Sequence, residues 1–150
     1  MNTGDKAPDF ELPDQDGQQR KLSELLAIGP VVLFFYPAAM TAGCTKESCH
    51  FRDLSAEFAA AGAQIVGISA DTVDKQQQFA TKHSFGYPLL SDADRSVATA
   101  YGVKRGRLSI IPVQRATFVI NADGTIRDII KSEIKMDVHA DQALESLKAG

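Results

Sequence analysis

Phe34-Phe-Tyr-Pro37-Ala-Ala-Met-Thr41-Ala-Gly-Cys44-Thr-Lys-Glu-Ser-Cys49 is the stretch on which the reading of this chain turns. It opens on the end of Val31 to Tyr36, a continuous apolar run of the kind buried on both faces of a central parallel sheet. The run stops at Pro37 and gives way to a loop of small residues. Beyond the loop, Phe51, Leu54, Phe58 and Ala61 recur at helical spacing, which predicts an amphipathic helix from Thr45 to Ala61 closed by Gly62. Cys44 then falls at or near a helix N-terminus, where backbone N–H groups and the helix dipole stabilise a thiolate.

The flanking sequence extends this strand–loop–helix unit into an α/β pattern. Upstream, Phe10-Glu-Leu12 and Gln19-Arg-Lys21 bracket an Asp16-Gly17 turn signal and predict an N-terminal hairpin, followed by a short helix over Leu22–Leu26. Downstream, Gln64-Ile-Val-Gly-Ile-Ser69 reads as a second buried strand. Asp71-Thr72 caps a helix through Phe79 and Lys82, and Pro88-Leu-Leu90 is a short strand. Val97, Ala98 and Tyr101 form a short helix closed by Gly102. Thr117–Ile120 and Thr125–Ile130 make a second hairpin about Asp123-Gly124, and Asp137 caps a last helix through Ala143, Leu144 and Leu147. The expected fold class is α/β: a thioredoxin-like fold with a central mixed β-sheet flanked by helices and an N-terminal β-hairpin.

The 150 residues, 44% of them hydrophobic, suit a single domain over 1–150 with a core that needs no staples. A net charge of −3 gives no electrostatic case for nucleic acid or an anionic membrane. No apolar run approaches the roughly 18 residues that cross a bilayer, and the polar start Met-Asn-Thr-Gly-Asp-Lys lacks a secretory segment. The expected location is therefore cytoplasmic. There, two cysteines point to catalysis, metal binding or inert packing before a structural staple.

Gly43 removes a side chain beside Cys44 and leaves room for a substrate near the sulfur. The competing reading is that Cys44 is simply a small buried hydrophobe. Cys49 lies five residues on. In a regular helix that separation means about 7.5 Å of rise and roughly 140° of rotation, which puts the Cα atoms on the order of 8.7 Å apart, beyond the roughly 7 Å reach of a disulfide. If the two cysteines pair, the first turn or two of the helix must unwind. Otherwise Cys49 is packed in the helix or pairs with another chain. Tetrahedral zinc wants four closely spaced ligands, whereas here Cys-x4-Cys is accompanied by scattered His50, His83 and His139. No cofactor or metal is expected. The histidines read as surface residues, none with a claim to be a general base.

Pro37-x3-Thr41-x2-Cys44 resembles the active-site signature of the peroxiredoxins. A second cysteine in the same helix, in Thr45-Lys-Glu-Ser-Cys49, is similar to the bacterioferritin-comigratory/PrxQ branch. The likeness extends to Gly4-Asp-Lys-Ala-Pro-Asp-Phe10, Val66-Gly-Ile-Ser69, Tyr87-Pro-Leu-Leu-Ser-Asp92 and Arg115-Ala-Thr-Phe-Val-Ile120. The resemblance implies a peroxidase acting on hydroperoxides, with Cys44 as the peroxidatic cysteine that becomes a sulfenic acid. It also implies that Thr41 bonds the thiolate and the peroxide, that Pro37 shields the sulfenate, and that Arg115 is the active-site arginine, oriented by Glu47. Cys49 would be the resolving cysteine of an intramolecular disulfide, reduced by thioredoxin or a similar dithiol, in a branch that is often monomeric.

The physical reading agrees. Attack on an O–O bond needs an ionised sulfur and a site for negative charge on the leaving oxygen. No charged residue lies between Pro37 and Thr45, so a fixed cation must come from elsewhere in the fold, and Arg115 enters the strand expected beside Val31–Tyr36. The chain departs from the usual pattern at Ala38, Ala39, Met40 and Ala42, where many relatives carry charges or proline. A more apolar lip follows, suited to organic hydroperoxides. The connection from Lys104 to Pro112 is short and basic, a solvated loop that could help dock an acidic reductant. The main rival reading is a thioredoxin-like thiol–disulfide oxidoreductase. It would use Cys-x2-Cys and a proline directly before the hairpin strand, where Ala116 precedes Thr117. A redox-sensing module is the second rival.

Overall fold

The computed structural model describes residues 1–105 and 113–149. The strand β1 (Glu11–Pro13) and the strand β2 (Gln19–Lys21) form the expected N-terminal hairpin, antiparallel from Glu11 opposite Lys21 to Pro13 opposite Gln19. Its turn is organised by buried Asp14, whose carboxylate accepts from the N–H groups of Asp16 and Gln18 and pairs with Arg20 at 2.8 Å. After helix α1 (Leu22–Leu26) comes β3 (Val31–Phe35), every residue of which is buried.

A five-stranded mixed sheet is built around β3. Parallel to it lies β4 (Gln64–Ser69), itself parallel to β5 (Leu89–Ser91). On the other side β6 (Ala116–Ile120) pairs antiparallel with β3, and β7 (Ile126–Lys131) antiparallel with β6, giving the order β5-β4-β3-β6-β7. Side chains alternate across β3 because the strand period is two. Val32, Phe34 and Tyr36 enter one core layer and Val31, Leu33 and Phe35 the other. The first layer is covered by α2 (Ala42–Asp53), α3 (Ser55–Ala60), α4 (Val73–His83) and α6 (Asp137–Lys148). The second lies beneath α1 and α5 (Ser96–Ala100).

The helix expected as one piece from Thr45 to Ala61 is two. It starts earlier, at Ala42, and breaks at Leu54, where ψ is 11°. There the Leu54 N–H is shared between the carbonyls of His50 and Phe51, and the Ser55 hydroxyl also reaches the Phe51 carbonyl. Serine bonding back onto the preceding turn competes with the helical ladder and bends it. Upstream of the break, α2 is held to the sheet by Phe51, stacked on Phe34 with ring centroids 4.3 Å apart. The connection from Lys104 to Pro112 lies outside the described residues except at Lys104 and Arg105.

Candidate active site

The site lies where β3 ends and β6 begins. Because β6 runs antiparallel to β3 with Ala116 opposite Phe35, the residue before β6 arrives at the same edge as the residue after β3. Arg115 and Tyr36 are therefore neighbours at the point where Pro37 starts the loop. Thr41 is the N-cap of α2 without a side-chain capping bond, so Cys44 is the third helical residue, among N–H groups that have no intrahelical acceptor. Cys44 is fully buried and Cys49 half-buried, both as free thiols in the one uninterrupted helix.

Arg115 supplies the cation that the loop lacks. Its Nη2 donates to Cys44 Sγ at 3.2 Å and its Nη1 to Glu47 Oε1 at 2.6 Å. The residue is only 5% exposed, so the guanidinium is oriented with little competition from water. Burial opposes its charge, but Glu47 and Cys44 outweigh that and hold the guanidinium above its ordinary value. Burial likewise pushes the Glu47 carboxyl up to about 8, even with Arg115 drawing it down. The backbone N–H of Arg115 donates to Glu133 Oε2 at 3.0 Å, and that carboxylate also pairs with Arg105 at 3.0 Å.

Two side chains that the sequence does not mark for the site shape the loop. Asp71, read there only as part of a helix cap, accepts from the Ala39 N–H and from the Ser69 hydroxyl, each at 2.7 Å, and so ties the loop to the end of β4. Buried Gln76 accepts from the Tyr36 hydroxyl and donates to Ser69 Oγ and the Leu90 carbonyl, fixing the other end. Immediately after the Ala39 anchor, Met40 adopts φ 68°, in the left-handed region that methionine seldom enters. Pro37 is half-buried at the start of the loop, while Met40, Thr41 and Ala42 are exposed.

Three expectations need correction. The Thr41 hydroxyl donates to the Ala38 carbonyl at 2.8 Å and makes no hydrogen bond to Cys44. Gly43 does not open a channel to the sulfur. A Cβ there would lie 3.1 Å from Met136 Cε, a tight contact, and 3.4 Å from Arg115 Nη2, an ordinary one, so the missing side chain gives the Met136 methyl room to pack over α2. The reading of the histidines as surface residues also fails for one of them. His139, in α6, is fully buried, with Nδ1 2.8 Å from Thr117 Oγ1 and Nε2 2.8 Å from the Ser132 carbonyl. No local motif marks it, because its partners come from β6 and from the β7–α6 connection. His50 pairs with Asp141 nearer the surface, and His83 packs against Phe79 and Phe85.

This arrangement can hold a buried sulfur anion against a fixed cation, with a carboxylate behind the cation to keep it in place. Among the described residues no group of three or more histidine, cysteine, aspartate or glutamate side chains is placed to hold a metal ion. Residues 3–129 match the AhpC/TSA family model. The chain is 40% identical over 149 residues to the chloroplastic peroxiredoxin Q of Arabidopsis thaliana, covering 99% of this chain and 68% of that protein. The crystal structure of peroxidoxin BcpB from Mycobacterium tuberculosis superposes with a TM-score of 0.95 at 61% identity, over 99% of this chain and 97% of that one. The bacterioferritin comigratory protein of Xanthomonas campestris, solved as trapped intermediate and ligand complexes bearing on its alkyl peroxide reduction activity, gives 0.85 at 33% identity over 93% and 90%.

Proposed function

We infer the roles of individual residues from the premise that this chain belongs to the AhpC/TSA family, the peroxiredoxins. It is a thiol-dependent peroxidase on a thioredoxin-like fold, in a family that acts on hydroperoxides and is recycled by thioredoxin-like reductants. The observation that carries the residue assignment is the 3.2 Å contact between Arg115 Nη2 and the buried sulfur of Cys44. The Cys44 thiolate attacks one peroxide oxygen, an S–O bond forms as the O–O bond breaks, and the electron pair leaves on the departing oxygen, which takes a proton to become water or an alcohol. Arg115 stabilises the attacking sulfur and lies next to the charge as it moves onto oxygen. Thr41 Oγ1 has committed its hydrogen to the Ala38 carbonyl, so its lone pairs accept the O–H of the incoming hydroperoxide. Pro37 covers the resulting sulfenic acid.

Cys49 then attacks the sulfenic sulfur, water leaves, and a Cys44–Cys49 disulfide forms for a dithiol to reduce. Both residues lie in continuous helix, so this step proceeds through unwinding at the start of α2. The working unit is a monomer with one domain over 1–150, acting in the cytoplasm. No described helix is long and apolar enough to cross a membrane. Intact-mass measurement after one equivalent of peroxide tests the scheme. Wild type should lose about two hydrogens without dimerising, whereas Cys49→Ser should gain oxygen at Cys44. A disulfide-linked wild-type dimer would refute the intramolecular route.

Organic hydroperoxides are the substrates best suited to the lip. Ala38 and Ala42 put no charge around the loop, and Met40 is exposed beside them. The Xanthomonas campestris relative studied for alkyl peroxide reduction is consistent with this choice. Steady-state assays should give an alkyl or aryl hydroperoxide a kcat/KM at least comparable to that of hydrogen peroxide, and a value far below it would exclude the preference.

A further inference from the structure

Behind the Cys44–Arg115 contact lies a pair of buried ionisable groups whose titration peroxide attack, as described above, does not use. Glu47 and His139 are both 0% exposed. Glu47 Oε1 is taken by Arg115, but Oε2 has no hydrogen-bond partner among the described residues and faces His139 Nδ1 at 3.6 Å. The tautomer of the neutral ring is fixed by its other side: the Ser132 carbonyl can only accept, so Nε2 carries the hydrogen. Nδ1 is then an acceptor, filled by the Thr117 hydroxyl. An orphaned carboxylate oxygen and a ring nitrogen facing each other in a dry interior form a site with room for one more proton.

The charges around the pair show when it is filled. Arg115 faces both groups from the start of β6, and Cys44 lies across Arg115 on α2. Glu133 approaches from the β7–α6 connection but is paired with Arg105, and the Tyr87 hydroxyl on the far side donates to the Ser48 carbonyl. His50 and Asp141 pair with each other nearer the surface. With Cys44 ionised and Glu47 ionised, two negative charges share the single positive charge of Arg115. With one proton on the pair, the cluster is neutral. We propose that the Glu47–His139 pair takes up one proton when Cys44 becomes a thiolate, and that His139 is a positioning residue that tunes Arg115 through Glu47. The electron pair stays on sulfur, and the proton lost there is matched by the one gained at the pair. Burial acts in the same direction, raising Glu47 and lowering His139, so the carboxyl carries the proton and the ring stays neutral. Above the midpoint of the pair, an ionised Glu47 competes with the thiolate for Arg115 and peroxide attack slows.

The inference rests on Cys44 being the peroxidatic thiol, and the test separates the two. The Glu47 carboxyl ¹³C and His139 ring ¹⁵N resonances are followed against pH in reduced wild type and in Cys44→Ser, together with kcat/KM profiles for wild type and His139→Asn. The Glu47 midpoint is expected to fall by about one pH unit or more in Cys44→Ser, because the neighbouring negative charge is gone. Asparagine at 139 can donate an amide N–H to Glu47 Oε2, where neutral His139 presents only an acceptor, and so favours the ionised carboxylate; the alkaline limb of kcat/KM should move down by about one unit. Coincident Glu47 midpoints in wild type and Cys44→Ser, or a lower plateau with an unmoved limb in His139→Asn, would overturn the proposal. Retention of peroxidase activity by Cys44→Ser would instead overturn the assignment of the thiol. The carboxyl measurement stands even if His139→Asn does not fold.

Discussion

Cys44→Ser should abolish peroxide reduction, with a loss in kcat/KM on the order of 10⁴-fold or more. A serine hydroxyl fits the cavity but is not ionised at neutral pH, whereas a thiol is partly so and is intrinsically a strong nucleophile. Arg115 cannot compensate, since stabilising an anion beside it is of use only where an anion forms. The fold should be unaffected, because the change removes no contact larger than one sulfur. Peroxide consumption coupled to a thioredoxin system is the measurement, with circular dichroism to confirm folding. Activity within tenfold of wild type would remove Cys44 from the mechanism.

Arg115→Lys should lower kcat/KM by about 10²- to 10³-fold, equivalent to roughly 2.7–4 kcal/mol of transition-state stabilisation. The guanidinium reaches Cys44 with one nitrogen and Glu47 with the other. An ammonium is a single point charge on a flexible stem and cannot make both contacts in the planar geometry of the fork. The effect on stability should be smaller than the roughly 3–5 kcal/mol of a stranded buried charge, because Glu47, already raised to about 8 by burial, can take a proton instead. Stopped-flow rates of sulfenic acid formation, set beside urea unfolding, separate the two effects. A rate within a fewfold of wild type would remove Arg115 from the chemical step.

Much of this was legible in the sequence wherever a single side-chain period dominated. Val31–Phe35 and Gln64–Ser69 are continuous apolar runs and became the buried strands β3 and β4. The Asp-Gly turns located both hairpins. The helix from Thr45 was predicted without its break because the apolar spacing runs straight through Leu54, while the cause is a hydroxyl–carbonyl contact that hydropathy does not register. The site divided in the same way. Cys44, Thr41 and Pro37 lie within one loop and one motif. Arg115 was reachable only by asking where the missing positive charge could come from. Asp71, Gln76 and His139 were not legible, since each acts through partners on other elements. A buried histidine and a surface histidine look alike until β6 brings Thr117, and the packing of α2 brings Glu47, to meet it.

The antiparallel register of β3 and β6 also limits how this protein can change in length. Arg115 reaches the sulfur because it stands one position before the Ala116–Phe35 pair. Inserting or deleting a single residue within β6 would carry the guanidinium through to the opposite face of the sheet, beneath α5, while leaving an equally apolar strand behind. Point substitutions along β6 can be graded in their effect, but a change of length cannot. The strand therefore works as a ruler, and insertions are tolerable only in the loops at its ends.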